Sequence, residues 1–122
     1  MTKRILIVED EQVLSSAYET LLKQAGYEVE VAYDGKDALT KTTSFEPDLI
    51  LLDLRMPVMD GVEFLKHYNL PKEHPNVKVI LFSNYDMQEE IDEAYRLGAD
   101  KYVLKAWVSP KELLHMVKST IS

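Results

Sequence analysis

PDLILLDLRMPVMDG, residues 47–61, contains four consecutive aliphatic residues, Leu49–Leu52, that stop at an acid, Asp53. A short apolar run introduced by Pro47 and closed by a charge reads as a strand buried on both faces, the kind found in parallel sheets. The same pattern stands near the N-terminus, where RILIV (4–8) runs into Glu9, Asp10 and Glu11. Two buried strands therefore end in carboxylates.

The rest of the chain falls into place around these strands. From about 11 to 25, Val13, Leu14, Ala17, Tyr18, Leu21, Leu22 and Ala25 recur at helical spacing, and Gly26 supplies a left-handed stop. Val29 and Val31 alternate with Glu28 and Glu30, as in an edge strand with one wetter face. Asp34 caps a short helix carrying Ala38 and Leu39, while Asp60 and Glu63 form a reciprocal cap for a third helix with Val62, Leu65 and Tyr68. Pro71 and Pro75 bracket a loop, and Val77–Phe82 is a fourth strand. Asp86 and Glu89 open a helix with Ile91, Ala94, Tyr95 and Leu97, stopped by Gly98. Lys101–Leu104 is a fifth strand closed by Lys105, and Ser109, Pro110 and Glu112 start a last helix that buries Leu113, Leu114, Val117 and Ile121.

Five strands alternating with five helices predict an α/β fold, a doubly wound five-stranded parallel sheet in the order 2-1-3-4-5 with helices on both faces. The 122 residues make one domain, 1–122, and the 46% hydrophobic and 29% charged content is that of an ordinary globular protein. With no cysteine, disulfides, thiolate metal sites and cysteine nucleophiles are excluded. A net charge of -7 argues against direct nucleic-acid binding and favours protein partners. No apolar run approaches the roughly 20 residues needed to span a bilayer, and the N-terminus lacks a signal-peptide layout, so a cytoplasmic location is expected.

In this fold ligands bind beyond the carboxyl ends of the strands, at the switch point between strands 1 and 3. Glu9, Asp10, Asp53, Ser83 and Lys105 are all expected at the carboxyl ends of strands 1, 3, 4 and 5, converging on one pocket. Three adjacent carboxylates repel one another, and a hard dication such as Mg²⁺ is the usual remedy. Bound Mg²⁺ can take a phosphate oxygen as a further ligand, Lys105 can pair with another and Ser83 can donate to a third, which suits phosphoryl transfer onto a carboxylate. Taken singly, each residue has a plainer reading: Asp53 as a turn cap, Glu9 and Asp10 as caps of the first helix, Lys105 as a solvated charge. His67, His74 and His115 lie in separate elements without metal-ligand spacing and read as surface or packing residues.

Four segments, VEDE (8–11), LLDLRMPVMDG (51–61), LFSN (81–84) and GADKYVLK (98–105), resemble the receiver domain of two-component response regulators along the whole chain. The resemblance implies a flavodoxin-like fold and a phosphorylation switch rather than an enzyme in the ordinary sense, one that supports its own metal-dependent phosphorylation and dephosphorylation. It implies that Asp53 takes a phosphoryl group from a histidine kinase or histidine phosphotransfer protein. By the same resemblance, Asp10, Asp53 and the main-chain carbonyl of Arg55 hold Mg²⁺, with Mn²⁺ as an alternative ion, and Glu9 helps through water. Ser83 and Lys105 then contact phosphoryl oxygens, and Tyr102 matches the aromatic that moves with the hydroxyl residue. Output is expected by contact with a downstream target protein, or with a second copy of the chain, on the face of the fourth helix, fifth strand and last helix. Tyr85, Tyr95, Tyr102 and Trp107 gather in this last third of the chain.

The chain departs from the family pattern at Ala106, where proline is usual after the strand 5 lysine. A cis bond before Ala costs about 3 kcal/mol, so a trans Lys105–Ala106 bond is expected. Asn84 stands where a small apolar residue is commoner, and the resemblance implies that Arg55 and Tyr85 occupy positions that flank the phosphoryl group and tune its lifetime. An aspartyl-nucleophile phosphatase would need an acid at position 55, which is arginine, and a flavin-binding relative would need a hydroxyl- and glycine-rich loop where this chain has acids. Met1 and the absence of a linker lean slightly toward a stand-alone receiver, with a receiver excised from a longer protein as the alternative.

Overall fold

A computed structural model describes residues 2–83 and 88–121. Its strands are β1 (Arg4–Val8), β2 (Glu28–Ala32), β3 (Leu49–Leu52), β4 (Lys78–Ser83) and β5 (Lys101–Leu104). They form one parallel sheet in the order β2-β1-β3-β4-β5. The helices are α1 (Gln12–Gln24), α2 (Gly35–Phe45), α3 (Gly61–Tyr68), α4 (Leu70–Glu73), α5 (Gln88–Arg96) and α6 (Pro110–Ile121).

The apolar runs are continuous because each sheet face meets its own helical layer. Leu6, Val8, Ile50, Leu52, Val79 and Leu81 face one way, into a core with Ala38, Phe45, Phe64, Leu65, Ile91 and Ala94 from α2, α3 and α5. Ile5, Ile7, Leu49, Leu51, Ile80 and Phe82 face the other way, against Leu22, Leu113 and Val117 from α1 and α6. Successive side chains on a strand point to opposite faces, so both faces require apolar residues. The two edge strands escape this: β2 exposes Glu28 and Glu30 and buries Val29 and Val31, and in β5 Val103 alone is buried.

The anticipated caps form. Asp34 accepts from Asp37 N at 2.7 Å, Asp60 and Glu63 make a reciprocal box, and Ser109 and Glu112 do the same at α6. Two expectations need correction. The segment between Pro71 and Pro75, expected as loop, begins with the one-turn helix α4: Asn69, at φ 54°, ends α3 and redirects the chain, Leu70 is buried, and Pro71 sits in the first turn, where its missing N–H costs nothing. Val13, expected on the apolar stripe of α1, is 86% exposed, because it lies in the first turn of α1; Leu22 is the fully buried member of that stripe and Tyr18 packs edge-on against Phe82. The expected helix start at Asp86 lies outside the described residues, as do Asn84 and Tyr85.

Candidate functional site

Strand ladders run one residue beyond β1 and β3 and so fix the two acids that follow them. Glu9 N donates to Ala32 O at 2.9 Å, and Asp53 N donates to Val8 O at 3.1 Å. The backbone at Asp53 is also packed tightly against the start of α3: a Cβ on Gly61 would lie 2.6 Å from the Asp53 carbonyl oxygen. Further along the loop between β3 and α3, Gly35 N donates to Met59 O at 2.9 Å, tying that loop to α2. The loop between β3 and α3 is thus gripped at both ends by close backbone contacts.

Glu9, Asp10 and Asp53 each bring a carboxylate oxygen into one group spanning no more than 4.8 Å, the only such cluster among the described residues. Lys105, leaving the end of β5, reaches across the sheet so that its Nζ lies 3.0 Å from Asp53 Oδ2 and is hydrogen-bonded to Glu9 Oε1. The Lys105, Glu9 and Asp53 side chains are only 6%, 3% and 9% exposed. The remaining oxygens are held by main-chain donors, with Glu11 N 3.1 Å from Glu9 Oε2 and Arg55 N 3.1 Å from Asp53 Oδ1.

Burial pushes the Glu9 carboxyl from 4.5 up to about 7; the Lys105 and Glu11 hydrogen bonds oppose the rise and the Asp53 charge adds to it. Burial alone would lower Lys105, but its hydrogen bond to Glu9 and the charges of Asp53 and Glu9 outweigh it and leave the ammonium above its ordinary value. The pocket therefore holds one firmly charged cation against three acids, one of them reluctant to ionise. That donor set, all oxygen and in carboxylate excess, fits a hard dication of the Mg²⁺ type.

Ser83 is fully buried as the last residue of β4, in register with Leu104, while Asp53 follows Leu52, the partner of Leu81. Tyr102 is half-buried opposite Leu81 and packs on the core beneath α2, α3 and α5. Lys105–Trp107 forms a 3-10 turn, and among the described residues no peptide bond is cis, so the Lys105–Ala106 bond is trans as expected. Trp107 is 81% exposed and Tyr95 42%. His67 and His115 are exposed, and His74 stacks on Tyr68 with ring centroids 3.9 Å apart.

Sequence reasoning missed three features of the site. Glu90 on α5 pairs with the Arg55 side chain, Nη2 to Oε1 at 3.4 Å. Val58, in the loop between β3 and α3, holds φ 68°, a conformation unusual for a β-branched residue. Lys105 bonds Glu9 directly, a partner that the resemblance did not assign to it. The first and third depend on distances between elements and have no local signature; Val58 had one, in the run PVMDG between an extended strand and a capped helix.

The response regulator receiver domain family matches residues 5–118, and the chain belongs to it. Receiver domains are signalling domains of two-component systems and not conventional enzymes. The chain is similar to a CheY-like response regulator receiver domain protein from Methanospirillum hungatei JF-1, at 34% identity over 98% of this chain and 93% of that one, with a TM-score of 0.90. It is also similar to a response regulator signal receiver domain from Bermanella marisrubri, at 33% identity over the full length of both chains and a TM-score of 0.87. A third likeness is to the chemotaxis protein CheY4 of Vibrio cholerae, at 29% identity over 98% of this chain and 99% of that one, with a TM-score of 0.88. Among the described residues, no helix is long and apolar enough to cross a membrane.

Proposed function

We propose that Asp53 accepts a phosphoryl group from the phosphohistidine of a histidine kinase or histidine phosphotransfer protein, and that the modified chain signals by protein contact. The observation that carries this reading is Asp53 itself: a buried carboxylate within 4.8 Å of two others and 3.0 Å from the Lys105 ammonium.

Asp10, Asp53 and the main-chain carbonyl of Arg55 are the ligands we assign to Mg²⁺, or to Mn²⁺ in its place, with Glu9 acting through water. The ion, when bound, supplies charge neutralisation for the carboxylates and an orienting ligand for a phosphoryl oxygen. An Asp53 carboxylate oxygen attacks phosphorus, the P–N bond to the donor imidazole breaks, and the nitrogen keeps the electron pair. Phosphoryl transfer has a loose transition state, so positioning and charge complementarity do most of the work. Lys105 pairs with one phosphoryl oxygen in place of its Glu9 contact, and the Ser83 hydroxyl donates to another. Dephosphorylation is the attack of water on the same phosphorus, with the Asp53 carboxylate leaving. Inward movement of Ser83 and Tyr102 is the switch we assign, a local charge change biasing a bistable surface.

Output passes to a downstream protein, or to a second copy of this chain, through the face of α5, β5 and α6. Supporting this are the exposed Tyr95 and Trp107 and a groove of about 480 Å³ that Lys101, Lys111, His115 and Met116 help to line. The test of the central step is direct. The protein is incubated with Mg²⁺ and acetyl phosphate, and intact mass is read for the parent and for Asp53→Asn. A single phosphoryl adduct on the parent and none on the variant is expected. An adduct that survives the substitution, or never forms on the parent, defeats the reading.

A further inference from the structure

Arg55 touches two parts of the molecule at once. Its backbone N–H donates to Asp53 Oδ1 at 3.1 Å, while its guanidinium Nη2 lies 3.4 Å from Glu90 Oε1 in the first turn of α5. That turn is acidic, with Glu89 beside Glu90, and a cleft between α3 and α5 is lined by Asp60, Glu63, Glu89, Glu90 and Glu93 with Lys66. Arg55 therefore links the acceptor loop to an anionic helix end. The tie is modest: the Arg55 and Glu90 side chains are 48% and 31% exposed, and partly hydrated pairs of this kind are weak.

Resting on the acceptor role proposed for Asp53, we propose that the Arg55 guanidinium exchanges partners on phosphorylation, leaving Glu90 for the phosphoryl oxygens, so that Glu90 sets the affinity of the site for its phosphoryl group and α5 is loosened by the modification. A phosphoryl group carries nearly two negative charges and three strong acceptor oxygens, and a guanidinium meets such a group with paired, charge-assisted bonds. The 3.4 Å contact to a partly exposed carboxylate is the weaker alternative. Because the two anions compete for one cation, the coupling is reciprocal: whatever weakens the Glu90 contact strengthens binding at Asp53, and occupation of Asp53 weakens the hold on α5.

The test uses beryllium trifluoride, an anion that takes the place of a phosphoryl group on a carboxylate, titrated calorimetrically into the full chain at fixed Mg²⁺. Glu90→Gln is expected to tighten its Kd by about two- to fivefold, the range of a partly exposed ion pair. Arg55→Ala is expected to weaken it, and Glu90→Gln placed in that background is expected to have no further effect. Amide hydrogen exchange across α5 should rise on adding the anion to the parent and remain level in Arg55→Ala. Equal tightening by Glu90→Gln with and without Arg55 overturns the proposal, since a through-space charge effect then suffices; so does an unchanged or weaker Kd in Glu90→Gln. If the parent itself fails to bind the anion with Mg²⁺ present, the acceptor role of Asp53 fails and this proposal with it, whereas binding that ignores Glu90 removes the exchange alone.

Discussion

Replacing Glu9 by Gln tests the electrostatics of the pocket with almost no change in shape. The Glu9 carboxyl is raised from 4.5 to about 7, with burial the largest cause. A carboxyl raised in the folded state favours folding fully below its unfolded pKa and loses that contribution as pH climbs through the folded value. The window therefore runs from pH 4.5 to about 7. At about 1.4 kcal/mol for each tenfold change, the loss across it is roughly 3 kcal/mol in metal-free protein. Lys105 is raised rather than lowered, so it stays protonated throughout this window and does not reverse the sign. Urea unfolding in the presence of EDTA, at intervals between about pH 4 and 8, is the assay. The stability of the parent relative to Glu9→Gln should fall by roughly 3 kcal/mol between the acid and neutral ends. Saturating Mg²⁺ should flatten that slope, because the ion binds the ionised cluster and favours the folded form that holds it. A parent-minus-variant difference that stays level from acid to neutral pH would show that burial does not perturb Glu9 and would refute the argument.

Three further outcomes follow from the site. Lys105→Met should tighten Mg²⁺ binding about tenfold by removing a positive charge a few ångströms from the metal ligands, while cutting the yield of phosphoryl adduct; weaker Mg²⁺ binding by calorimetry would contradict this. Gly61→Ala should destabilise the fold by about 1–3 kcal/mol, because the added methyl meets the Asp53 carbonyl oxygen at 2.6 Å, and should slow labelling by acetyl phosphate; a neutral result in urea denaturation would mean the loop is softer than its packing indicates. Val58→Gly should raise stability by about 0.5–1 kcal/mol, since a β-branched residue at φ 68° is strained and glycine is not, and a loss of stability would argue that the exposed side chain makes contacts that matter.

The sheet was legible because its signals are local. A buried parallel strand must be apolar on both faces, so LILL and RILIV could hardly be anything else, and the caps at Asp34, Asp60 and Ser109 bind main-chain groups within three residues of themselves. Where a local signal was ambiguous, tertiary packing decided. Pro71 suits a loop and a first helical turn equally well, and the burial of Leu70 selected the turn. Val13 matches the stripe of α1 by spacing, but the stripe does not say where the sheet ends, and Val13 lies in the first turn, beyond its cover.

The same division holds at the site. By itself, the sequence determined the five strands and their order, the placement of Glu9, Asp10, Asp53, Ser83 and Lys105 at strand ends, and the family to which that pattern belongs, because each depends on residue type and spacing along the chain. Only the tertiary structure decided which charges meet. Lys105 lies 96 residues from Glu9 and 52 from Asp53, yet it bonds both. Arg55 pairs with Glu90 across two elements. Glu9 is pushed to about 7 chiefly because the fold removes water from around it. Coulomb energies and desolvation depend on distance and burial, and neither is a property of the chain until the sheet has brought its carboxyl ends together.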